Sequence, residues 1–333
     1  MESKNKNDHS ILRIDGVKKY FPIRRGFFQS IVGWVKAVDG VSFEIKRGTT
    51  MGLVGESGCG KTTVARLILK LLESDEGKII FQGRDISRLS EREMKPFRKE
   101  VQIIFQDPFG SLNPRMTVGQ CIEEGIRILG VKRASARKER LENLLNMVGM
   151  SYDSADRYPH EFSGGQRQRI GIARALSVEP SLIVCDEPVS ALDVSIQAQI
   201  INLLKDLQDQ LGLSYLFISH DLNIVGYLCD TISVMYNGSI MESASSEDIF
   251  NHPYHPYTKS LLSAVPDPNK KWDVTLSLEQ RYESDAVYDG CKHQKKCPWV
   301  EKQCRKNPID FVQVEATHFV RCWKTKKSDL KVI

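Results

Sequence analysis

The sequence lacks a long apolar run. Nowhere do about 18 consecutive apolar residues occur, so no membrane-spanning helix is expected. The first ten residues, MESKNKNDHS, are polar and carry no apolar core of the signal-peptide kind. Internal repeats and low-complexity segments are also missing. We therefore expect a cytosolic chain whose thiols stay reduced, which argues against disulfides.

What is present is an ordinary globular composition with an uneven charge. The length of 333 residues predicts two domains, or one large and one small, and a hydrophobic content of 41% is ample for a globular core. Charged residues make up an ordinary 27%. The net charge is +5, but residues 291–333 hold eleven Lys and Arg against four Asp and Glu. That segment therefore carries +7 and the remainder −2. Such asymmetry is typical of a contact with nucleic acid, a membrane surface or an anionic ligand.

Short apolar strands alternate with amphipathic helices along most of the chain. The runs TTMGLVG (49–55), SLIVCDE (181–187) and SYLFISH (214–220) are typical of buried parallel strands. This alternation predicts an α/β sheet covered on both faces. Helical spacing over about 107–162 predicts a separate helical lobe. The composition shifts after Phe250, so we expect a main domain over 1–252 and an extension over 253–333.

The segment GESGCGKT, Gly55 to Thr62, matches the pattern G-x-x-x-x-G-K-[ST] and lies between a predicted strand and a predicted helix. Glycines at these positions let backbone N–H groups turn inward around a phosphate, and the helix N-terminus adds positive potential. Lys61 is expected to reach the terminal phosphates, and Thr62 to offer its hydroxyl to Mg²⁺. A glycine-rich turn without ligand is the competing interpretation, which the strand–loop–helix context disfavours.

Two carboxylates end the buried run LIVCDE. Asp186 is expected to hold Mg²⁺ through water opposite Thr62. Glu187 is a candidate general base that takes a proton from the attacking water. Taken alone, Glu187 could equally be a solvated loop residue.

A second glycine-rich helix start lies in FSGGQRQRIGIARAL (162–176). Ser163, Gly164, Gly165 and Gln166 form a second candidate anion site. If this helix belongs to the helical lobe, it cannot easily serve the loop at Gly55–Thr62 of the same chain. A second subunit is the natural way to use it.

These segments together resemble the ATP-binding subunits of ABC transporters. GESGCGKT corresponds to the Walker A motif, LIVCDE to Walker B and FSGGQ to the signature motif, with Phe162 in place of the usual leucine. Gln106 in IIFQDP corresponds to the Q-loop, SALD (190–193) to the D-loop and His220 to the switch histidine. The resemblance implies an ABC-type P-loop ATPase fold, with a RecA-like core, an antiparallel β subdomain and a helical lobe.

The resemblance also implies roles at these positions. Glu187 and His220 would be catalytic, His220 by contacting the γ-phosphate and orienting the water. Gln106 would contact Mg²⁺ with Thr62 and couple the site to a membrane partner. Phe21, or its neighbour Tyr20, would stack on adenine, with Phe21 preferred. The expected ATP-binding set is Phe21, Gly55, Glu56, Ser57, Gly58, Cys59, Gly60, Lys61, Thr62, Thr63, Gln106, Asp186, Ser163, Gly164, Gly165, Gln166 and Asp193.

The segments IFQDPFGSLNPRMTVG (104–119) and HPYHPYTKSLLSAVP (252–266) resemble those of the ATPase subunits of dipeptide and oligopeptide importers. This implies a second, different ATPase subunit, two transmembrane permease subunits and an extracytoplasmic solute-binding protein, with the chain peripheral at the cytoplasmic face of the membrane. Import of nickel or another small solute is an alternative. A soluble ABC ATPase acting on nucleic acid or ribosomes is a more remote one, because one cassette without sustained heptads is present; no nucleic-acid partner is expected.

Four of the eight cysteines, Cys291, Cys297, Cys304 and Cys322, lie in the basic C-terminal segment. Four thiolates can hold zinc or an iron–sulfur cluster, and gaps of five, six and seventeen residues argue mildly against a zinc knuckle. Importers of the resembled family can carry a cysteine set of this kind, so the resemblance implies a [4Fe-4S] cluster, with zinc and unliganded thiols as alternatives. The other four cysteines are expected in the core or in a variable loop position.

Overall fold

A computed structural model of the chain describes residues 10–107, 110, 112–264, 290–306 and 308–326. Two β-sheets organise the fold. Their strands are β1 (Ser10–Arg25), β2 (Ser30–Lys46), β3 (Thr50–Val54), β4 (Glu76–Phe81), β5 (Arg84–Asp85), β6 (Val101–Ile104), β7 (Leu182–Asp186), β8 (Ser214–Ser219), β9 (Thr231–Tyr236), β10 (Ser239–Ser245), β11 (Val312–Glu315) and β12 (His318–Val320).

Nine α-helices are present in the described part of the chain. They are α1 (Lys61–Ile68), α2 (Glu91–Glu100), α3 (Val118–Ile128), α4 (Ala134–Met147), α5 (Gly164–Leu176), α6 (Val194–Leu211), α7 (Leu222–Leu228), α8 (Ser246–Asn251) and α9 (Pro256–Ser263). None of these described helices has the length and apolar character needed to span a membrane.

The larger sheet has eight strands in the order β11-β12-β10-β9-β3-β8-β7-β6. Strands β6, β7, β8, β3 and β9 run parallel to one another. Strands β3, β7 and β8 are buried along their full length, as continuous apolar runs in a parallel sheet should be. Because parallel strands end at the same edge of a sheet, the segments that follow β3, β6, β7 and β8 meet there.

The smaller sheet is antiparallel, with the order β2-β1-β4-β5. Strands β1 and β2 form a long hairpin that pairs from Ser10 with Lys46 to Arg25 with Ser30. The apolar segment GFFQSIVGW (26–34) forms the tip of this hairpin and part of β2, and Phe27 and Phe28 at the tip are exposed. The large mixed sheet and the small antiparallel sheet agree with the α/β core and the antiparallel β subdomain expected from the sequence.

Helices occupy the chain between β6 and β7. Helices α3 and α4 are followed by two short 3-10 turns and then by α5. Leu141, Leu144, Leu145 and Val148 are buried, in agreement with their helical spacing in the sequence.

The C-terminal extension is joined to the large sheet. Strand β12 pairs antiparallel with β10, and β11 pairs with β12. The carboxylate of Glu242, on β10, is fully buried and accepts hydrogen bonds from the backbone N–H groups of Tyr254 and His255. Nε2 of the buried His318 lies 2.7 Å from the same carboxylate. Residues on both sides of the predicted boundary at 252/253 therefore share one sheet and one buried polar cluster. The sequence NHPYHPYTKSLLSAVPDP (251–268) is typical of a docking segment and linker, and its end, residues 265–268, lies outside the described residues.

Candidate functional site

The phosphate-binding loop connects β3 to α1 and requires glycine at both of its ends. Gly55 and Gly60 have φ values of 153° and 112°, in the region that side chains disfavour. A Cβ on Gly55 would lie 2.1 Å from the carbonyl oxygen of Met235, and one on Gly60 would lie 2.1 Å from that of Ala37. The loop therefore packs so closely on its neighbours that a larger residue would displace it.

Lys61 is 5% exposed and folds back over the loop. Its ammonium donates to the carbonyl oxygens of Gly55, at 2.7 Å, and Glu56, at 2.9 Å. It also lies 3.8 Å from the Cys59 sulfur. A buried cation held by such neutral groups gains from meeting an anion, because charge-assisted hydrogen bonds are stronger than neutral ones. This geometry suits a lysine that exchanges loop carbonyls for phosphate oxygens.

Thr62 and Asp186 meet across the sheet edge, where the Thr62 hydroxyl donates to Asp186 Oδ1 at 3.2 Å. Burial raises the pKa of the Asp186 carboxyl, and the hydrogen bond from Thr62 partly opposes that shift. A buried carboxylate next to a hydroxyl is a donor set that suits Mg²⁺, which prefers oxygen ligands. The residues therefore fit the metal expected with ATP.

Glu187 follows β7 and lies between Gln106 and His220. The Gln106 amide Nε2 donates to Glu187 Oε2 at 3.2 Å, and His220 Nδ1 lies 3.3 Å from the same oxygen. The backbone of Glu187 has a φ of 49° and its N–H donates to the Ile218 carbonyl. Left-handed backbone at a non-glycine residue is uncommon and gathers at functional sites. Three residues predicted from separate motifs are thus brought into contact.

The residues of the predicted signature motif lie at the start of helix α5, where Ser163 and Gln166 hydrogen-bond to each other. Ser163 is the N-cap of α5, and its hydroxyl accepts from the Gln166 N–H while the Gln166 side chain accepts from the Ser163 N–H. Gly164 faces Leu192, in the turn before α6, and Gly165 faces Ile196 on α6, whose N-cap is Asp193. Of these residues, none of the five predicted to bind ATP lines the cleft above the phosphate-binding loop. Their ATP-binding roles remain predictions that need a second subunit.

The cleft above the loop is open and has walls that the sequence did not reveal. Tyr20, Trp34 and Lys36 from the long hairpin line it, and Phe21 does not. The Tyr20 hydroxyl donates to Asp39 Oδ1 at 2.5 Å, and burial together with this bond raises its pKa. Of the two aromatics expected to stack on adenine, Tyr20 lines the cleft and Phe21 lies outside it, and the adenine contact itself stays a prediction.

The C-terminal extension supplies a further wall. Residues 290–292 and 294–296 line the same cleft, together with Asn237 and Arg321. The charge asymmetry of the sequence was the one signal that hinted at an anion here, but it gave no position for it.

The cysteine prediction needs correction. Cys291, Cys297, Cys304 and Cys322 line one small pocket and are free thiols. Yet among the described residues no group of three or more His, Cys, Asp or Glu side chains is arranged to hold a metal ion. The predicted [4Fe-4S] cluster, with zinc as its alternative, is therefore wrong, and so is the expected four-cysteine metal module in the fold. Burial raises the pKa of the Cys291 thiol to about 11 and also raises the pKa of Cys297 and Cys322, which disfavours the thiolate that metals bind.

Comparison with known proteins agrees with this site. A family model described as ABC transporter matches residues 38–190, and one described as oligopeptide/dipeptide transporter, C-terminal region, matches residues 241–304. The chain is 50% identical over 321 residues to the oligopeptide transport ATP-binding protein AppF of Bacillus subtilis, covering 95% of this chain and 98% of that protein. The chain belongs to the ABC transporter ATPases of the oligopeptide/dipeptide type.

Two further relatives give the same result. The chain is 48% identical to OppF of Bacillus subtilis, over 94% of this chain and 96% of the relative. It is 44% identical to OppF of Haemophilus influenzae, over 96% and 98%. Both are named oligopeptide transport ATP-binding proteins, so neither the nickel nor the nucleic-acid alternative is favoured.

Solved structures give the same fold for the ABC ATPase. A dimeric ATP-binding cassette in a post-hydrolysis state with ADP and Pi matches with a TM-score of 0.63 and 26% identity, over 71% of this chain and 98% of that chain. CbiO1 of Clostridium perfringens matches with a TM-score of 0.63 and 27% identity, over 74% and 92%. Membership of the family implies membrane permease partners and pairing of two ATPase subunits.

Proposed function

We propose that the chain hydrolyses ATP and thereby powers the import of di- and oligopeptides through a membrane transporter. The observation that carries this proposal is the contact of Glu187 with Gln106 and His220, beside Thr62 and Asp186 at one sheet edge. The names of the relatives support peptides as the transported solute.

In the proposed reaction, water attacks the γ-phosphorus of ATP and the bond to the ADP oxygen breaks. Glu187 takes the proton of that water, and His220 orients the water and the γ-phosphate. Lys61 exchanges the carbonyls of Gly55 and Glu56 for phosphate oxygens. Thr62 would hold Mg²⁺ directly and Asp186 through water, and the bound metal neutralises charge on the β- and γ-phosphates.

The proposed partners are a second, different ATPase subunit, two permease subunits and an extracytoplasmic binding protein. Ser163, Gly164, Gly165 and Gln166 would contact the γ-phosphate held by the partner ATPase, and Asp193 would cross that interface. Gln106 couples the site to the permease. The chain then lies at the cytoplasmic face of the membrane. Isolation of the assembly with its permeases supports this arrangement, and a chain that never fractionates with membranes contradicts it.

The test of the ATPase proposal is Glu187→Gln. We expect ATP binding to persist and turnover to fall about 10²- to 10⁴-fold, the usual contribution of a general base. Single-turnover hydrolysis and retention of labelled ATP measure the two effects. Glu73→Gln, an exposed carboxylate outside the cleft, is the matched control. Near-normal turnover in Glu187→Gln would refute the base assignment.

The solute is tested separately in the reconstituted transporter. Peptide uptake that requires ATP and fails in Glu187→Gln supports peptide import. Uptake of nickel in the absence of any peptide uptake contradicts it.

A further inference from the structure

The C-terminal extension forms a wall of the nucleotide cleft. Residues 290–292 and 294–296 line the same cavity as residues 56–63 of the phosphate-binding loop and the first helix turn. Three of these extension residues are lysines, namely Lys292, Lys295 and Lys296. Seven Lys and Arg side chains line the cleft against three Asp and Glu. This excess of positive charge attracts anionic ligands.

This wall is fixed to the cleft by specific bonds. The Lys292 ammonium donates to Asp39 Oδ2 at 2.9 Å and to the Asn237 carbonyl at 2.7 Å. In helix α9, the Tyr257 hydroxyl accepts from the Glu56 N–H of the phosphate-binding loop at 3.0 Å. The extension therefore touches both the loop and the hairpin side of the cleft, which holds its lysines in place.

Lys296 is the lysine placed against the loop itself. Its ammonium lies 3.9 Å from the carboxylate of Glu56, the second residue of the phosphate-binding loop. The Lys296 side chain is 38% exposed, and that of Glu56 is 51% exposed. An exposed ion pair at this distance is weak, so it costs little to break when a more highly charged anion enters the cleft.

We propose that Lys296 binds the polyphosphate of ATP, with Lys292 as the positioning residue that anchors its segment to the cleft. The proposal rests on the proposed ATP hydrolysis and adds a nucleotide contact from outside the ATPase motifs. It also gives the basic C-terminal segment a local purpose in the cleft.

The test compares ATP hydrolysis by the assembled transporter containing the full-length chain. Lys296→Ala is expected to raise KM for ATP by about two- to fivefold, the worth of a partly exposed charge contact, with kcat changed less than KM. Lys296→Arg should retain most of the affinity. The difference between Lys296→Ala and wild type should shrink as salt is raised, because salt screens exposed charges.

Two further variants separate a ligand contact from a structural role. Lys302→Ala removes an exposed lysine of the same extension that does not line the cleft, and KM should stay at the wild-type value. Lys292→Ala releases the anchor and should raise KM as well. Unfolding temperatures of all variants report whether the fold is retained.

The outcomes are distinct. If wild type hydrolyses ATP and Lys296→Ala has an unchanged KM, or loses kcat alone, the inference on Lys296 is overturned while the ATPase proposal stands. If wild type does not hydrolyse ATP in the assembled transporter, the proposed function itself fails.

Discussion

At the scale of single residues, the backbone conformation of Glu187 positions the carboxylate of this candidate general base. Glu187 leaves a buried parallel strand, and its left-handed φ of 49° is held by a hydrogen bond from its N–H to Ile218 on the neighbouring strand. This turn brings the carboxylate within reach of Gln106 and His220. The side chains of Gln106, after β6, and His220, after β8, therefore both reach one carboxylate oxygen of Glu187, because the strands are parallel and in register.

Tyr20→Ala is expected to weaken ATP binding by about 1–3 kcal/mol, the usual value for stacking an aromatic ring on a base. Phe21→Ala, at the adjacent position outside the cleft, is the matched control and should bind ATP normally. Tyr20→Phe keeps the ring and removes only the bond to Asp39. Titration with a fluorescent ATP analogue measures all three. A larger loss in Phe21→Ala than in Tyr20→Ala would contradict this assignment.

At the scale of elements, the C-terminal extension is attached by buried polar contacts as well as by strand pairing. Glu242 accepts from the N–H groups of Tyr254 and His255, just before helix α9. His255 then caps α9, because its Nδ1 accepts from the Tyr257 N–H at 3.0 Å. Buried polar groups of this kind are costly to break, since each partner would be left without a hydrogen bond.

We expect the chain to lose stability in mild acid through His255. Burial, with a smaller contribution from His293, lowers the pKa of His255 to about 3, well below the unfolded value of about 6.5. As pH falls below about 6.5 the unfolded chain binds a proton that the folded chain refuses, so unfolding becomes easier by about 1.4 kcal/mol per pH unit until the folded pKa is approached.

The measurement is the free energy of unfolding from pH 8 to about pH 4, in the range where His titrates. His255→Asn keeps a side-chain oxygen that can cap the helix but does not titrate, so its profile should be flatter than that of wild type. Nearby His293, whose pKa burial lowers to about 4, is present in both proteins and cancels in the comparison. Parallel profiles would show that His255 does not carry the effect.

At the scale of the whole molecule, one chain holds two half-sites that do not meet. The phosphate-binding loop and Glu187 line the cleft, whereas Ser163 and Gly165 lie at the start of α5 outside it. A second ATPase subunit that contributes its own signature residues would complete each cleft. The solved dimer with ADP and Pi has the same fold as this chain.

The variant Gly165→Ala should retain ATP binding but lose ATP turnover. A Cβ at Gly165 would lie 2.5 Å from Cγ2 of Ile196 on α6, so the two helices must shift, at a cost of about 1–3 kcal/mol. ATP binding by the isolated chain is expected to hold, while turnover of the assembled transporter falls. Gly171→Ala is the control on the same helix, because its Cβ would meet nothing within 4 Å. Equal turnover in both variants contradicts a role for this helix start in the assembly.

The sequence alone was sufficient to predict that the phosphate-binding loop, Asp186, Glu187, Gln106 and His220 lie together, while their roles stay predictions. Each of them follows an apolar strand, and parallel strands carry such residues to one edge of the sheet. The sequence was insufficient to tell whether Tyr20 or Phe21 lines the cleft. The pairing of β1 with β2 shifts register between Lys19 and Tyr20, so the face of each side chain cannot be counted along the strand.

The amino-acid sequence by itself therefore determined the class of the protein and its ATP chemistry, since local motifs impose both. Only the tertiary structure decided what surrounds that chemistry. It brought Lys292 and Lys296 to the cleft from more than 200 residues away along the chain, and it joined the extension to the main sheet through β12. In place of the predicted metal centre it shows a small pocket lined by four free thiols, of which that of Cys304 is buried. The physical reason is that such contacts depend on strand pairing and packing between distant segments, which local spacing does not encode.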